Sequence, residues 1–78
     1  MAGGNGYSVG SKIRPIRVRV IAEDGTRLGV MTTAAALRRA ADAGLDLVEI
    51  DPRATPPVCM IVNFEQFRRG LIRSPLAN

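Results

Sequence analysis

An Asp24-Gly25 pair lies between two short apolar runs, and it constrains the fold of this chain more than any other feature. Glycine tolerates the positive φ of a tight turn, so such a pair between apolar runs predicts a β-hairpin. Before the pair, apolar residues alternate with largely basic ones: Ile16, Arg17, Val18, Arg19, Val20 and Ile21. This alternation predicts a strand with one buried face and one largely basic face. We expect residues 28–31 to form the returning strand.

The elements after the hairpin follow from propensity and periodicity. The hydroxyl of Thr32 or Thr33 can cap a helix over the Ala-rich residues 34–43, and Gly44 sits where a left-handed C-terminal cap belongs. One side of this helix carries the residues predicted to pack: Leu37, Ala40, Ala41 and Gly44. Residues 46–51 and 58–62 read as strands, and residues 64–69 as a short helix ended by Gly70. The predicted order is ββαββ plus a C-terminal helical turn, an α+β fold with one helix packed across a four-stranded sheet.

The chain divides into one domain with two loose ends. Residues 1–11 contain four of the eight glycines and no pair of neighbouring large apolar residues, so we expect a flexible lead-in. The domain covers residues 12–69. Residues 70–78 read as a loose tail, in which Leu71 and Ile72 are able to pack on the domain.

The composition argues against enzymatic chemistry. The 78 residues include no His and one Cys. They therefore offer no internal disulfide, no structural zinc site and no imidazole base for a nucleophile. We expect no enzymatic activity, no metal, no cofactor and no small-molecule substrate. The single Cys and the absence of a long apolar run predict a cytoplasmic protein without a membrane segment.

Positive charge is concentrated at the two ends of the predicted domain. Residues 12–19 carry four basic residues and no acid, residues 20–51 carry three Arg against six acids, and residues 52–78 carry four Arg against one acid. The net charge is +4. This charge points to an anionic partner without identifying it, and guanidinium groups match phosphate oxygens, so phosphate groups are candidate ligands. The candidate nucleic-acid-binding residues are Lys12, Arg14, Arg17, Arg19, Arg53, Arg68 and Arg69. The alternative, a solvated basic face paired with acids of the hairpin, stays open.

Three other residues have structural rather than functional interpretations. Glu49 stands among apolar neighbours without a partner acid or base at a useful spacing, so it reads as a structural carboxylate. Cys59 lies within an apolar strand and reads as a small core residue. For Phe64, packing is favoured over stacking on a base.

A longer set of motifs resembles a known family. It comprises Ile13-Arg14, Val18-Arg19, Gly25, Leu28-Gly29-Val30, Ala36-Leu37, Ala40, Gly44-Leu45-Asp46-Leu47-Val48-Glu49-Ile50, Pro52, Ala54 and Pro56-Pro57-Val58-Cys59. In this order and without gaps, the string resembles the N-terminal domain of bacterial translation initiation factor 3. The resemblance covers residues 13–67.

The resemblance implies a fold and a set of partners. It implies a mixed four-stranded sheet with one helix. It also implies binding to the small ribosomal subunit, through ribosomal RNA and protein. The binding site would lie near the initiator tRNA, which is a candidate further partner. In this family, a lysine-rich helical linker normally joins the domain to a second domain, which has no counterpart here.

Three local departures from the family pattern leave two hypotheses open. Met60 stands where the family usually has Lys or Arg, residues 63–66 replace Asp-Tyr-Gly-Lys, and Gly10 replaces Asn. The chain could be an excised domain of a longer factor that modulates initiation, or a stand-alone paralogue. In the second case it is either a weak modulator of initiation or a repurposed protein-interaction module that uses an apolar edge around Met60, Val62 and Phe64.

Overall fold

A computed structural model describes residues 6–76, and it shows an α+β fold. The elements are β1 (Ser8–Val9), a 3-10 turn (Gly10–Lys12), β2 (Arg17–Ile21), β3 (Arg27–Thr32), α1 (Thr33–Asp42), β4 (Asp46–Asp51), β5 (Val58–Val62) and α2 (Phe64–Arg68). Residues 1–5 of the predicted lead-in and residues 77–78 of the predicted tail lie outside the described part of the chain.

Across residues 6–76 the sheet has five strands, in the order β1-β4-β5-β2-β3. β2 and β5 run parallel, and the other neighbours are antiparallel, so the sheet is mixed. The predicted α+β class is confirmed, but the predicted count of four strands is wrong. The additional strand is β1, where Val9 pairs with Val48 of β4. It lies within the predicted lead-in, and two residues are too few to show a strand periodicity.

The hairpin forms where the Asp-Gly pair predicts it. Gly25 has φ 92°, and the amide of Ala22 donates a 2.8 Å hydrogen bond to the carbonyl of Thr26. The pairing shifts at the turn end, because Val20 faces Gly29 whereas Ile21 faces Arg27. This bulge determines which side chains of β3 share a face with those of β2.

Helix α1 begins and ends at the predicted signals. The hydroxyl of Thr32 accepts a 3.1 Å hydrogen bond from the amide of Ala35. At the other end Gly44 has φ 69° and its amide donates to the carbonyl of Ala41 at 3.0 Å. The packed face is partly different from the predicted one: Thr33, Ala36 and Ala40 are buried, whereas Ala41 is exposed.

The sheet separates two apolar clusters. The first lies under α1 and contains Ile13, Val18, Val20, Ala36, Ala40, Leu47, Cys59 and Ile61. The second lies on the opposite face, under α2, and contains Val48, Met60, Val62 and Phe67, with Val9, Ile50, Phe64 and Ile72 packed against it. Ile72 of the tail thus packs on the domain. Ile16, predicted to share the buried face of β2, is instead 80% exposed, because it lies in the loop before the strand.

Candidate nucleic-acid interface

The sheet face opposite α1 has a covered half and an open half. Over β4 and β5, α2 places Phe67 on the second cluster. Over β2 and β3, the exposed Arg17 and Arg19 occupy alternate positions of β2, whose intervening residue Val18 is buried under α1. We call the β2–β3 part of this face the open half.

Sequence reasoning missed one residue of this face, Arg27. Arg27 pairs with Ile21, which follows Arg19 by two positions, so all three lie on the open half. The predicted hairpin places Arg27 at the start of the returning strand. The face on which its side chain lies depends on the bulge, which the sequence does not specify. The open half therefore carries three exposed guanidinium groups: Arg17, Arg19 and Arg27.

Lys12 and Arg14 are exposed and lie just before the basic strand. Lys12 ends the 3-10 turn, which is closed by a 3.0 Å hydrogen bond from the amide of Ile13 to the carbonyl of Gly10. The loop that follows is held at its base by Thr33, whose hydroxyl donates to the carbonyl of Pro15. The segment that carries Lys12 and Arg14 therefore leads into β2 along a path that these hydrogen bonds fix.

Arg53 lies in the loop between β4 and β5. The amide of Arg53 donates a 3.1 Å hydrogen bond to Oδ1 of Asp51. At the other end of this loop, Pro57 accepts a 2.8 Å hydrogen bond from the amide of Arg19. Because β5 runs parallel to β2 from Val58 onward, the loop lies at the end of β2 that carries Arg17.

Arg68 and Arg69 lie at the end of α2, on the same face of the sheet as the open half. Nη2 of Arg68 forms an ion pair with Oε2 of Glu65 at 2.6 Å. Both side chains of this pair are exposed, so it contributes little to stability, yet it partly neutralises Arg68.

The acids of the hairpin do not pair with the basic strand. Within residues 6–76, no ion pair joins Glu23 or Asp24 to a basic side chain. The carboxylate of Asp24 instead accepts a 2.9 Å hydrogen bond from the amide of Thr26. This bond lowers the pKa of Asp24 and keeps the group ionised. The pairing with hairpin acids that the alternative supposes is therefore not seen within residues 6–76.

The other groups with reactive potential are structural. Cys59 is fully buried, and burial, reinforced by the charge of Glu49, raises the pKa of its thiol to about 12.

In the described part of the chain, no three His, Cys, Asp or Glu side chains lie close enough together to hold a metal ion. None of the helices in that part is both long and apolar enough to cross a bilayer.

The apolar edge proposed for a protein partner is not a surface. Met60 is 1% exposed and Val62 is fully buried, both in the second cluster. Phe64 packs against the same cluster. The choice of these three residues as a docking edge is wrong, because β5 is a central strand with both faces covered along this stretch.

Residues 9–70 match the sequence profile of one family, described as translation initiation factor IF-3, N-terminal domain. Three curated relatives are translation initiation factors IF-3. That of Sorangium cellulosum is 50% identical over 60 residues, which are 77% of this chain and 25% of the relative. That of Clostridium tetani is 52% identical over 62 residues, 80% of this chain and 36% of the relative. That of Xanthomonas campestris is 53% identical over 57 residues, 73% of this chain and 31% of the relative. The chain thus spans about a quarter to a third of the length of these relatives.

Proposed function

Because the chain belongs to the family of the N-terminal domain of translation initiation factor IF-3, we propose that it is a module that docks on the small ribosomal subunit and modulates translation initiation. Its contacts are with ribosomal RNA and protein, close to the initiator tRNA. The observation that carries the proposal is the open half of the sheet, where Arg17 and Arg19 stand exposed and, within residues 6–76, without an acidic partner.

The mechanism is electrostatic docking on the phosphate backbone. Lys12 and Arg14 precede the basic strand, and Arg53 lies in the loop at the same end of β2. Arg68 and Arg69 extend the positive charge along α2. Each neutralised phosphate releases counterions, so about four to six contacts give a log-log slope of binding against salt of roughly −3 to −5.

The test is co-sedimentation of the purified chain with isolated small subunits over a range of salt concentrations. The double variant Arg17→Ala/Arg19→Ala should weaken binding by about tenfold or more and reduce the magnitude of the salt slope by about two. The matched control is Arg38→Ala/Arg39→Ala, which removes the same charge from the exposed surface of α1 on the other face of the sheet. This control should bind nearly as tightly as the unmodified chain.

Two results would contradict the proposal. One is a salt slope near zero, which would exclude phosphate contacts as the source of affinity. The other is an equal loss of binding in both double variants. This result would show that the net charge of the chain, and not the arginines of the open half, determines the affinity for the subunit. A parallel series with initiator tRNA tests where the chain binds on the subunit. If it binds close to this tRNA, adding the tRNA should change the dissociation constant of the chain from the subunit.

A further inference from the structure

We propose that a groove on the open half of the sheet binds a single unpaired nucleotide of RNA. In this arrangement Arg19 and Arg27 hold the phosphate, and Ile21, Val58 and Leu76 contact the base. The inference rests on the proposed function and names the site at which the open half binds RNA.

The groove is a cavity of about 250 Å³ lined by Arg19, Ile21, Arg27, Gly29, Val58 and Leu76. Strand register explains how these residues meet. Arg19 pairs with Val58 across the parallel β2–β5 ladder, and Ile21 pairs with Arg27 across the hairpin. Each guanidinium group thus lies beside one apolar side chain of the floor.

The floor and one wall of the groove are apolar. Ile21 and Val58 are each 8% exposed, so they form a firm base. Leu76, from the segment after α2, lines the same groove and is 48% exposed, so it offers apolar surface to a ligand. Gly29 has φ 89° and lines the groove without contributing a side chain to it.

The charge and shape fit a nucleotide better than a bare anion. Neither Arg19 nor Arg27 has an acidic partner within residues 6–76. Guanidinium groups bind phosphate oxygens with two parallel hydrogen bonds and also stack on planar groups. A bare phosphate would leave the exposed apolar surface of Leu76 unused, whereas a base would contact it. The volume falls below the range of about 300–1,000 Å³ typical of small-molecule pockets, which argues against a larger cofactor.

The test uses fluorescence anisotropy with a labelled, unstructured six-nucleotide RNA, in parallel with small-subunit co-sedimentation. Arg27→Ala should weaken RNA binding about fivefold and reduce the magnitude of the salt slope by about one. Leu76→Ser should weaken binding about threefold to tenfold and leave the salt slope unchanged, because it removes apolar contact and no charge.

Two matched controls keep the comparison specific. Arg38→Ala removes one exposed guanidinium group from α1, on the other face of the sheet, and Leu71→Ser removes an exposed Leu that does not line the groove. Both should bind the six-nucleotide RNA like the unmodified chain. Thermal unfolding of all four variants confirms that each one is folded.

Several outcomes would overturn the inference. Unchanged RNA binding by Arg27→Ala and Leu76→Ser would exclude the groove. Competition by inorganic phosphate as strong as competition by the RNA would indicate a plain anion site, and competition by an acidic peptide at that strength would indicate a protein ligand. If the unmodified chain co-sediments with subunits and both groove variants match it in both assays, the groove inference alone fails. If the unmodified chain does not bind subunits, the proposed function fails. The anisotropy measurements with the six-nucleotide RNA then still test whether the groove binds a nucleotide.

Discussion

The amide of Thr33 donates a 2.7 Å hydrogen bond to the carbonyl of Ile16, and this bond fixes the loop before β2 against the first turn of α1. The hydroxyl of the same residue donates to the carbonyl of Pro15. Thr33 is 8% exposed, so both bonds are largely shielded from water. The path of the chain between Arg14 and Arg17 is thereby set by the helix and not by the strand alone.

Replacing Thr33 by Val removes the hydroxyl and keeps the shape of the side chain. The Pro15 carbonyl then loses its partner, so we expect the free energy of unfolding to fall by about 1–2 kcal/mol. Urea unfolding measures this change. Thr55→Val is the matched control, because Thr55 is exposed in the loop before β5, and its midpoint should not move. An equal midpoint for Thr33→Val and the unmodified chain would show that the Pro15 bond contributes nothing.

The start of α2 depends on Asn63. Oδ1 of Asn63 accepts a 2.9 Å hydrogen bond from the amide of Gln66, which caps a helix of only five residues. We expect Asn63→Ala to lower the free energy of unfolding by about 1 kcal/mol, and Asn63→Ser to preserve it, because Ser caps helices as well as Asn does. Urea unfolding compares the two. Equal destabilisation by Ala and Ser would mean that another contact of Asn63 matters.

The buried thiol of Cys59 gives the protein an alkaline instability. The folded pKa is about 12, above the ordinary value of 9.0. The native state therefore keeps a proton that the unfolded chain releases, so this contribution is complete below pH 9.0 and is lost as the pH rises toward about 12. The loss approaches about 1.4 kcal/mol per pH unit within this window.

The variant Cys59→Ala isolates this effect. It leaves a smaller side chain in the first cluster, so it is less stable than the unmodified chain at pH 8. Between pH 8 and pH 10.5, the unmodified chain should lose about 2 kcal/mol more than the variant in urea unfolding. If both proteins lose stability in parallel, the thiol does not titrate in this range. Because the thiol is buried, a thiol reagent at pH 8 should modify Cys59 only in molecules that have opened or unfolded.

The sequence predicted the elements that have strong local signals. Strand β5, Val58–Val62, coincides with the predicted residues 58–62, because it is a short run of apolar, mostly β-branched residues bounded by Pro57 and Asn63. Helix α1 was placed within one residue, since Thr32 and Gly44 mark its ends through specific hydrogen bonds. These features depend on neighbours in the chain, and such features can be read from a sequence.

The parts that were missed depend on distant partners. Strand β1 exists because Val9 finds Val48, and nothing in residues 8–9 alone requires it. The place of Arg27 on the open half follows from a bulge opposite Ile21, which is a property of the paired strands. Leu76 reaches the groove through tertiary packing of the segment after α2. The basic strand of the candidate site was therefore predictable, whereas the groove beside it was not.

The ion pair between Glu65 and Arg68 makes a last prediction about the basic surface. The side chains are 60% and 41% exposed, so Glu65→Gln should change the free energy of unfolding by no more than about 0.5 kcal/mol. Loss of the carboxylate releases Arg68 for a phosphate, so we expect binding to small subunits to tighten about twofold to fivefold at low salt and less at high salt. Glu23→Gln removes the same charge from the exposed hairpin end, away from α2, and should tighten binding less. An equal gain from both variants would show that net charge alone acts, and that Arg68 makes no specific contact.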